Sequence, residues 1–143
     1  MLSLDDDARW AEQSAATIKR EKLDSFAEVR VAPLVPVTTA GRESQWYDIS
    51  GLDPAARFDL IIVDGPPAWR GDSLTRLPAL YQLRQRLSDN GVLVLDDAQR
   101  GGETEIGRRW QQDFPDLHYR MVSVGRGLFV AAVQRSSLDL LPS

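Results

Sequence analysis

The chain has 143 residues, 43% of them hydrophobic, which is the usual size of one domain built around one core. Its net charge of −4 at pH 7 excludes the long-range attraction to phosphate on which non-specific nucleic-acid binding depends. The absence of cysteine and the single histidine exclude disulfides, thiolate nucleophiles and multi-histidine metal sites. No apolar run is long enough for a membrane helix, and the acidic start MLSLDDD is unlike a secretory signal, so the sequence predicts a soluble cytoplasmic protein.

Helical and extended patterns alternate along the chain, which is typical of an α/β fold. A helix is predicted over residues 7–22, because acidic residues suited to capping stand before apolar positions at helical spacing. Glu28–Val35 then predicts a short strand, which Pro33 and Pro36 should end. Thr38–Ala56 shows no sustained period and predicts a long connection.

Two apolar runs in the second half of the chain predict buried strands. Phe58–Val63 and Val92–Leu95 are each followed by aspartate. Apolar positions at helical spacing over Leu77–Leu87 predict a connecting helix, which Asn90 and Gly91 should end. Two such strands joined by one helix are expected to be adjacent, parallel and buried.

The last third of the chain predicts one more helix and a hairpin. The helix carries Ile106 and Trp110. His118–Val124 and Leu128–Val133 are extended runs separated by a glycine-rich turn, and they predict an antiparallel pair. Residues 136–143 predict a disordered tail.

Carboxylates follow both apolar strands. Asp64 ends the first strand, and Asp96 and Asp97 end the second. Ligands of an open parallel sheet bind beyond the carboxyl ends of its strands, so these side chains could share one hard cation, magnesium, calcium or manganese. The alternative is that the three aspartates only form turns after the strands.

Asp5 has a similar pair of interpretations. An acidic residue just after a strand can accept hydrogen bonds from the two hydroxyl groups of a nucleotide ribose. Helix capping is the alternative, since the adjacent acidic residues are all suitable caps.

Aromatic and glycine residues near the predicted edge also have two interpretations. Trp46, Tyr47 and Trp69 could stack on an aromatic ligand, although packing against apolar surface is favoured for such side chains. The glycine pairs at 101–102 and 125–127 could offer backbone N–H groups to an anion, although turn formation is favoured because neither pair opens a strand-loop-helix unit.

Taken in order, the segments SLDDD, EVRVAPL, WYD, FDLIIVDGPP and LSDNGVLVLDDAQR resemble class I S-adenosylmethionine-dependent methyltransferases, most closely their small bacterial O-methyltransferase-like branch. The resemblance covers residues 2–134, and its most specific parts are VDGPP and LVLDDAQR. It implies a Rossmann-like α/β domain over residues 1–135, with a mostly parallel sheet, helices on both faces and a C-terminal antiparallel hairpin.

The resemblance also implies roles for particular residues. Asp5 would bind the ribose of S-adenosylmethionine, and Ala32 and Pro33 would lie beside its adenine. Asp64 would lie near the transferred methyl group, where it would position or deprotonate a substrate hydroxyl.

Two further implications concern metal and completeness. Asp64, Asp96 and Asp97 match the positions at which metal-dependent members hold magnesium.

The chain begins where a family member has already completed its first strand and the glycine-rich loop that cradles the methionine part of the cofactor. Because that strand lies between the second and the fourth, we expect either that the protein begins upstream or that the sheet shows a displaced strand, a gap near Leu2–Leu4 or another chain paired there.

The sequence therefore predicts an S-adenosylmethionine-dependent methyltransferase-like domain that, once completed upstream, O-methylates a small molecule, with no nucleic-acid or membrane partner. The alternative, favoured by the missing glycine loop, is a non-catalytic or truncated domain that serves as an interaction module, with a homodimer as one form. A nicotinamide-dependent oxidoreductase would need the same glycine loop and a catalytic Tyr-Lys pair, for which the sequence offers no candidate.

Overall fold

The computed structural model describes residues 1–68, 71–139 and 141, and within these residues the strands form three separate sheets. In chain order the elements are β1 (Leu2–Asp5), α1 (Ala8–Arg20), β2 (Glu28–Val31), β3 (Leu34–Thr39), β4 (Arg42–Tyr47), β5 (Phe58–Val63), α2 (Pro78–Leu83), β6 (Leu87–Leu95), α3 (Gly101–Asp113), β7 (His118–Val122) and β8 (Leu128–Ala132). The predicted α/β class is confirmed.

The first sheet is a parallel pair, β1 with β2, and α1 packs against it. The predicted first helix is confirmed, and Asp7 is its N-cap, with a carboxylate that accepts the Arg9 N–H at 2.9 Å. The burial of this helix is slight, since Ala11 is buried while the neighbouring Trp10 is 59% exposed.

The second sheet corrects the expectation of a long connection over Thr38–Ala56. Its first part belongs instead to the antiparallel hairpin of β3 and β4. Ala40 and Gly41 form the tight turn with φ of 50° and 74°, the positive values that a two-residue hairpin turn requires. Pro36 lies inside β3 and does not end it. A two-stranded hairpin leaves one edge of β3 without a hydrogen-bonded neighbour, and proline, which has no N–H to donate, is tolerated on such an edge.

The third sheet has the strand order β5-β6-β8-β7. Its parallel pair confirms the predicted adjacency, with Leu60 opposite Val92 and Val63 opposite Leu95. The predicted C-terminal hairpin is also confirmed, as β7 pairs antiparallel with β8. The expectation of a mostly parallel sheet is wrong, because β6 pairs antiparallel with β8 as well. Helices on both faces of one sheet stay a prediction.

The expected burial of β5 on both faces is wrong. Leu60 is 54% exposed and Ile62 is 65% exposed, whereas Val63 is buried at 4%. Leu60 and Ile62 share one face because side chains alternate along a strand. Among the described residues β5 is the edge strand of its sheet and this face is open to solvent, so a continuous apolar run does not by itself imply burial.

The predicted interruption of the sheet is present. In the described residues β1 pairs with β2 alone and β5 pairs with β6 alone, so each has one unpaired edge. The two strands therefore lie in different sheets, and the cofactor residues expected after them stand on separate parallel pairs.

The helix between β5 and β6 is shorter than predicted. It ends at Leu83, a short 3₁₀ helix follows over Arg84–Arg86, and β6 has already begun at Leu87. Gly91 therefore lies inside a strand instead of ending a helix. A side chain there would meet the Phe58 carbonyl oxygen at 2.9 Å, so the strand register shift at this point depends on glycine.

The core lies between α3 and the third sheet. Trp110 is fully buried and donates its indole N–H to the Leu77 carbonyl at 2.9 Å, as a buried tryptophan requires. Gly107 lies against the Phe129 ring, which lets the helix approach β8 closely. No helix in the described residues has the length and apolarity needed to cross a membrane.

The C-terminal segment differs from the expected disordered tail over residues 136–139. A 3₁₀ helix spans Arg135–Ser137, and Leu138 is buried in a small cluster with Val122 and Val130. Arg120 holds this segment by donating to the Leu138 carbonyl at 2.8 Å. Apolar contact and this hydrogen bond order a stretch whose position at the end of the chain predicted fraying.

Candidate functional site

The carboxyl ends of β5 and β6 bring three aspartates together. Asp64, Asp96 and Asp97 each have a carboxylate oxygen within 4.8 Å of the others. The parallel pairing causes this convergence, because the Asp96 N–H continues the ladder by donating to the Val63 carbonyl at 3.1 Å. Oxygens 2.0 to 2.6 Å from one hard cation are up to roughly 5 Å apart, so the geometry fits a shared cation.

Asp97 is already paired with cationic side chains. Its carboxylate lies 2.8 Å from an Arg100 Nη2 and 3.7 Å from an Arg126 Nη1, and its side chain is 16% exposed. Its φ of 55° is unusual for a residue other than glycine, and its carbonyl accepts the Arg100 N–H in the turn that follows β6. The turn-forming interpretation therefore describes part of what Asp97 does, and a cation would compete with two guanidinium groups.

Asp64 is the most accessible member of the cluster, with a side chain 70% exposed. Its carbonyl accepts a hydrogen bond from Arg76 Nη2 at 2.8 Å, and its carboxylate Oδ1 lies 3.5 Å from the same nitrogen. The Asp64 carboxylate is therefore open to solvent while Arg76 holds its backbone.

Sequence reasoning missed Arg76 and Glu103. Arg76 lies in the turn before α2 and Glu103 in the first turn of α3, and they are 3% and 2% exposed. The available signal was one arginine within the apolar stretch SLTRLPAL, where a charge has no solvent-facing place.

Asp5 lies at the end of β1, where the sequence predicts it. Its Oδ1 accepts the Asp7 N–H at 2.9 Å, so Asp5 forms a turn before the helix while Asp7 serves as the cap. Beside it the Ala32 N–H donates to the Asp5 carbonyl at 2.8 Å, and the Pro33 carbonyl accepts the Asp48 N–H. The three residues proposed for ribose and adenine are thus adjacent.

Two of the three aromatic residues predicted near the carboxyl ends of the strands, Trp46 and Tyr47, have different surroundings. Trp46 is 3% exposed and meets Tyr47 edge-on at 5.1 Å between ring centroids, which confirms packing for Trp46. The Tyr47 hydroxyl occupies the space where a side chain at Gly65 would project. The third aromatic of the prediction, Trp69, lies outside the described residues.

An ion pair joins the hairpin to the loop after β5. Arg42 Nη2 lies 2.6 Å from Asp72 Oδ1. Partial burial raises the pKa of Asp72, but hydrogen bonds from Arg42 and the Leu74 N–H outweigh burial and leave the pKa below its ordinary value.

The glycines at 125 and 127 form the β7–β8 turn, with φ of 58° and 81°, and the turn carbonyls accept N–H groups of the loop after β6.

Neither a protein-family model nor a curated protein matches the chain. Solved structures do match. A methyltransferase from Geobacter sulfurreducens is 17% identical with a TM-score of 0.60, over 93% of this chain and 58% of that one. An SAH-bound methyltransferase from Podospora anserina is 14% identical with a TM-score of 0.66, over 91% and 58%. An O-methyltransferase from Bacillus cereus in complex with SAH is 15% identical with a TM-score of 0.58, over 93% and 62%.

The similarity to these structures is a similarity of fold. At identities of 14% to 17% they show that the chain has the fold of class I methyltransferases. The chain spans about three fifths of each of those proteins, with 58%, 58% and 62% of their lengths covered.

Proposed function

We propose that the chain is an S-adenosylmethionine-dependent methyltransferase-type domain that binds its cofactor across the carboxyl ends of β1, β2 and β5. The observation that carries the proposal is the placement of Asp5 at the end of β1 and of Asp64 directly after β5, both on parallel pairs, in a fold shared with SAH-bound methyltransferases. The proposal also includes the activity, the substrate and the partners of the whole protein.

Each proposed residue has a distinct chemical task. Asp5 accepts hydrogen bonds from the ribose hydroxyls, while Ala32 and Pro33 line the adenine. S-adenosylmethionine, when bound, would supply an electrophilic methyl group for transfer, and Asp64 would position the hydroxyl group of a small-molecule substrate or take its proton. Orientation of the two reactants supplies much of the acceleration in such a step.

Magnesium is an optional addition to this proposal. Asp64, Asp96 and Asp97 would hold it, and it would lower the pKa of the substrate hydroxyl and fix its position. The Asp64 carboxylate lies near Arg76, and the Asp97 carboxylate lies near Arg100 and Arg126, so part of the charge of the cluster is already balanced. Calorimetric titration with magnesium should give heat that Asp97→Asn abolishes and the exposed control Asp89→Asn retains; the absence of heat removes the metal from the proposal.

A non-catalytic interaction module is the second candidate, and the unpaired edge of β5 favours it. Leu60 and Ile62 are exposed on that strand, and an exposed edge with apolar side chains is a template for pairing with another chain. In this case a second copy of the chain is the proposed partner.

Cofactor binding separates the two candidates. NMR titration of the chain with SAH should give saturable shifts near Asp5 and Ala32. Adenosine, which lacks the amino-acid part of SAH but keeps its ribose and adenine, should shift the same resonances.

The matched variants are Asp5→Asn and Asp24→Asn. Asparagine at position 5 keeps an oxygen for the Asp7 N–H but removes the carboxylate charge, so SAH affinity should fall about tenfold, while the exposed Asp24 should not matter. No SAH binding, or binding insensitive to Asp5→Asn, contradicts the cofactor site and favours the interaction module.

A further inference from the structure

A buried guanidinium lies beneath the acidic edge. Arg76 is 3% exposed, and a charge taken out of water to this extent is stable only where hydrogen bonds and an opposite charge replace the solvent. Among the described residues, the groups that replace the solvent come from the loops after β5 and β6 and from α3.

Three carbonyls accept hydrogen bonds from Arg76. Nη2 donates to the Asp64 carbonyl at 2.8 Å, Nη1 to the Asp96 carbonyl at 3.2 Å, and Nε to the Pro66 carbonyl at 3.4 Å. Asp64 and Asp96 are the first residues after two neighbouring strands. One rigid, planar group therefore joins the backbones that carry the candidate carboxylates.

Glu103 supplies the opposite charge. Its Oε1 lies 3.5 Å from Arg76 Nη1, its side chain is 2% exposed, and within the described residues that oxygen accepts no hydrogen bond. Glu103 also stands in the first turn of α3, where the helix dipole favours a carboxylate. The buried pair of Arg76 and Glu103 thus links α3 to the carboxyl ends of β5 and β6, while the Asp64 side chain remains exposed to solvent.

We propose that Arg76 is a positioning residue, which fixes the carboxylates of Asp64 and Asp96 relative to each other, with Glu103 as its counter-ion. That this positioning matters for binding cofactor and substrate rests on the proposed function of the carboxyl ends of β5 and β6. The three acceptors require three separate nitrogens in one plane. Lysine, with a single nitrogen, keeps the charge but cannot hold both loops in this arrangement.

The test compares Arg76→Lys, the charge-free double variant Arg76→Met with Glu103→Leu, and the control Arg108→Met, an exposed arginine of α3. The double variant leaves no unpaired buried charge, so it should fold. Backbone ¹H–¹⁵N shifts, measured without ligand, should move at Asp64 and Asp96 in Arg76→Lys and in the double variant. They should remain unchanged in the control.

Ligand affinity gives the second measurement. SAH affinity should fall about tenfold in Arg76→Lys and in the double variant, the size of loss typical when a group behind a binding residue is removed. A purely stabilising role predicts instead that the folded double variant keeps wild-type shifts and wild-type affinity, and this result overturns the proposal. If the wild-type chain binds no SAH, the proposed function fails, and the ligand-free shifts alone decide the role of Arg76.

Discussion

At the residue scale, two adjacent glycines open α3 and have different surroundings. A side chain at Gly102 would project onto the carbonyl of Ser73, in the loop that leads to Arg76, whereas the space beside Gly101 is open. Gly102 therefore permits the close approach of α3 to this loop. The sequence favours turn formation over an anion site for this pair, and in the structure one of its members serves packing.

Gly102→Ala should lower the free energy of unfolding by about 1 to 3 kcal/mol, because backbone atoms cannot give way as a side chain can. Gly101→Ala is the matched control and should leave stability unchanged or slightly higher, since alanine favours the helix. Urea denaturation of the two variants measures the difference. Equal stabilities would contradict the close approach.

Glu105 shows how a surface ion pair depends on pH. Hydrogen bonds from Arg108 and Arg109 lower its pKa from an ordinary 4.5 to about 2. A carboxyl whose pKa is depressed by folding contributes stability above the unfolded pKa and loses it as pH falls through the folded pKa.

Wild type should therefore exceed Glu105→Gln in stability by a small, constant amount above about pH 5, and the difference should shrink between pH 4.5 and 2. Thermal unfolding at a series of pH values measures it. Glu43→Gln, on the β3–β4 hairpin, is the control carboxyl. A difference that persists below pH 2 would show that the ion pairs are not its cause.

At the element scale, the β3–β4 hairpin depends on its turn. Ala40 has a φ of 50°, which costs a residue with a Cβ about 1 kcal/mol, and it is exposed. Asparagine tolerates this conformation and, followed by glycine, is the preferred pair for such a turn.

Ala40→Asn should raise the free energy of unfolding by about 0.5 to 1 kcal/mol, measured by chemical denaturation. Ala55→Asn, another exposed site with ordinary φ, should give no gain. A destabilising Ala40→Asn would show that the hairpin does not use this turn in solution.

At the scale of the whole molecule, the interruption between β1 and β5 leaves two strand edges unpaired in the described residues. On β5 this edge carries Leu60 and Ile62, 54% and 65% exposed. Exposed apolar side chains on an open edge favour association of copies, the homodimer proposed above.

Ile62→Lys should therefore shift the chain toward monomer, because a charged side chain on an edge strand opposes pairing. Sedimentation velocity over a range of concentrations measures the change. Val124→Lys is the control, since Val124 is 56% exposed in the turn region after β7. A wild-type chain that is monomeric at every concentration would remove the homodimer.

The sequence by itself determined the features that depend on local pattern. Turn residues and alternating apolar positions located the β7–β8 hairpin, and the two apolar runs followed by aspartate predicted the parallel pair that brings Asp64 to Asp96 and Asp97. Periodicity and turn chemistry act between near neighbours, so one sequence is enough to read them.

Only the tertiary structure decided which surfaces are covered and where charge is buried. The run Phe58–Val63 is equally apolar whether or not a layer lies over it, and Leu60 and Ile62 are in fact exposed. Arg76 lies 20 residues from Asp96 and 27 residues from Glu103 along the chain, and no local pattern marks an arginine as the internal cation of an acidic edge. Burial and long-range pairing arise when distant segments pack, which is why the positions of the aspartates followed from the sequence and the group that holds them in place did not.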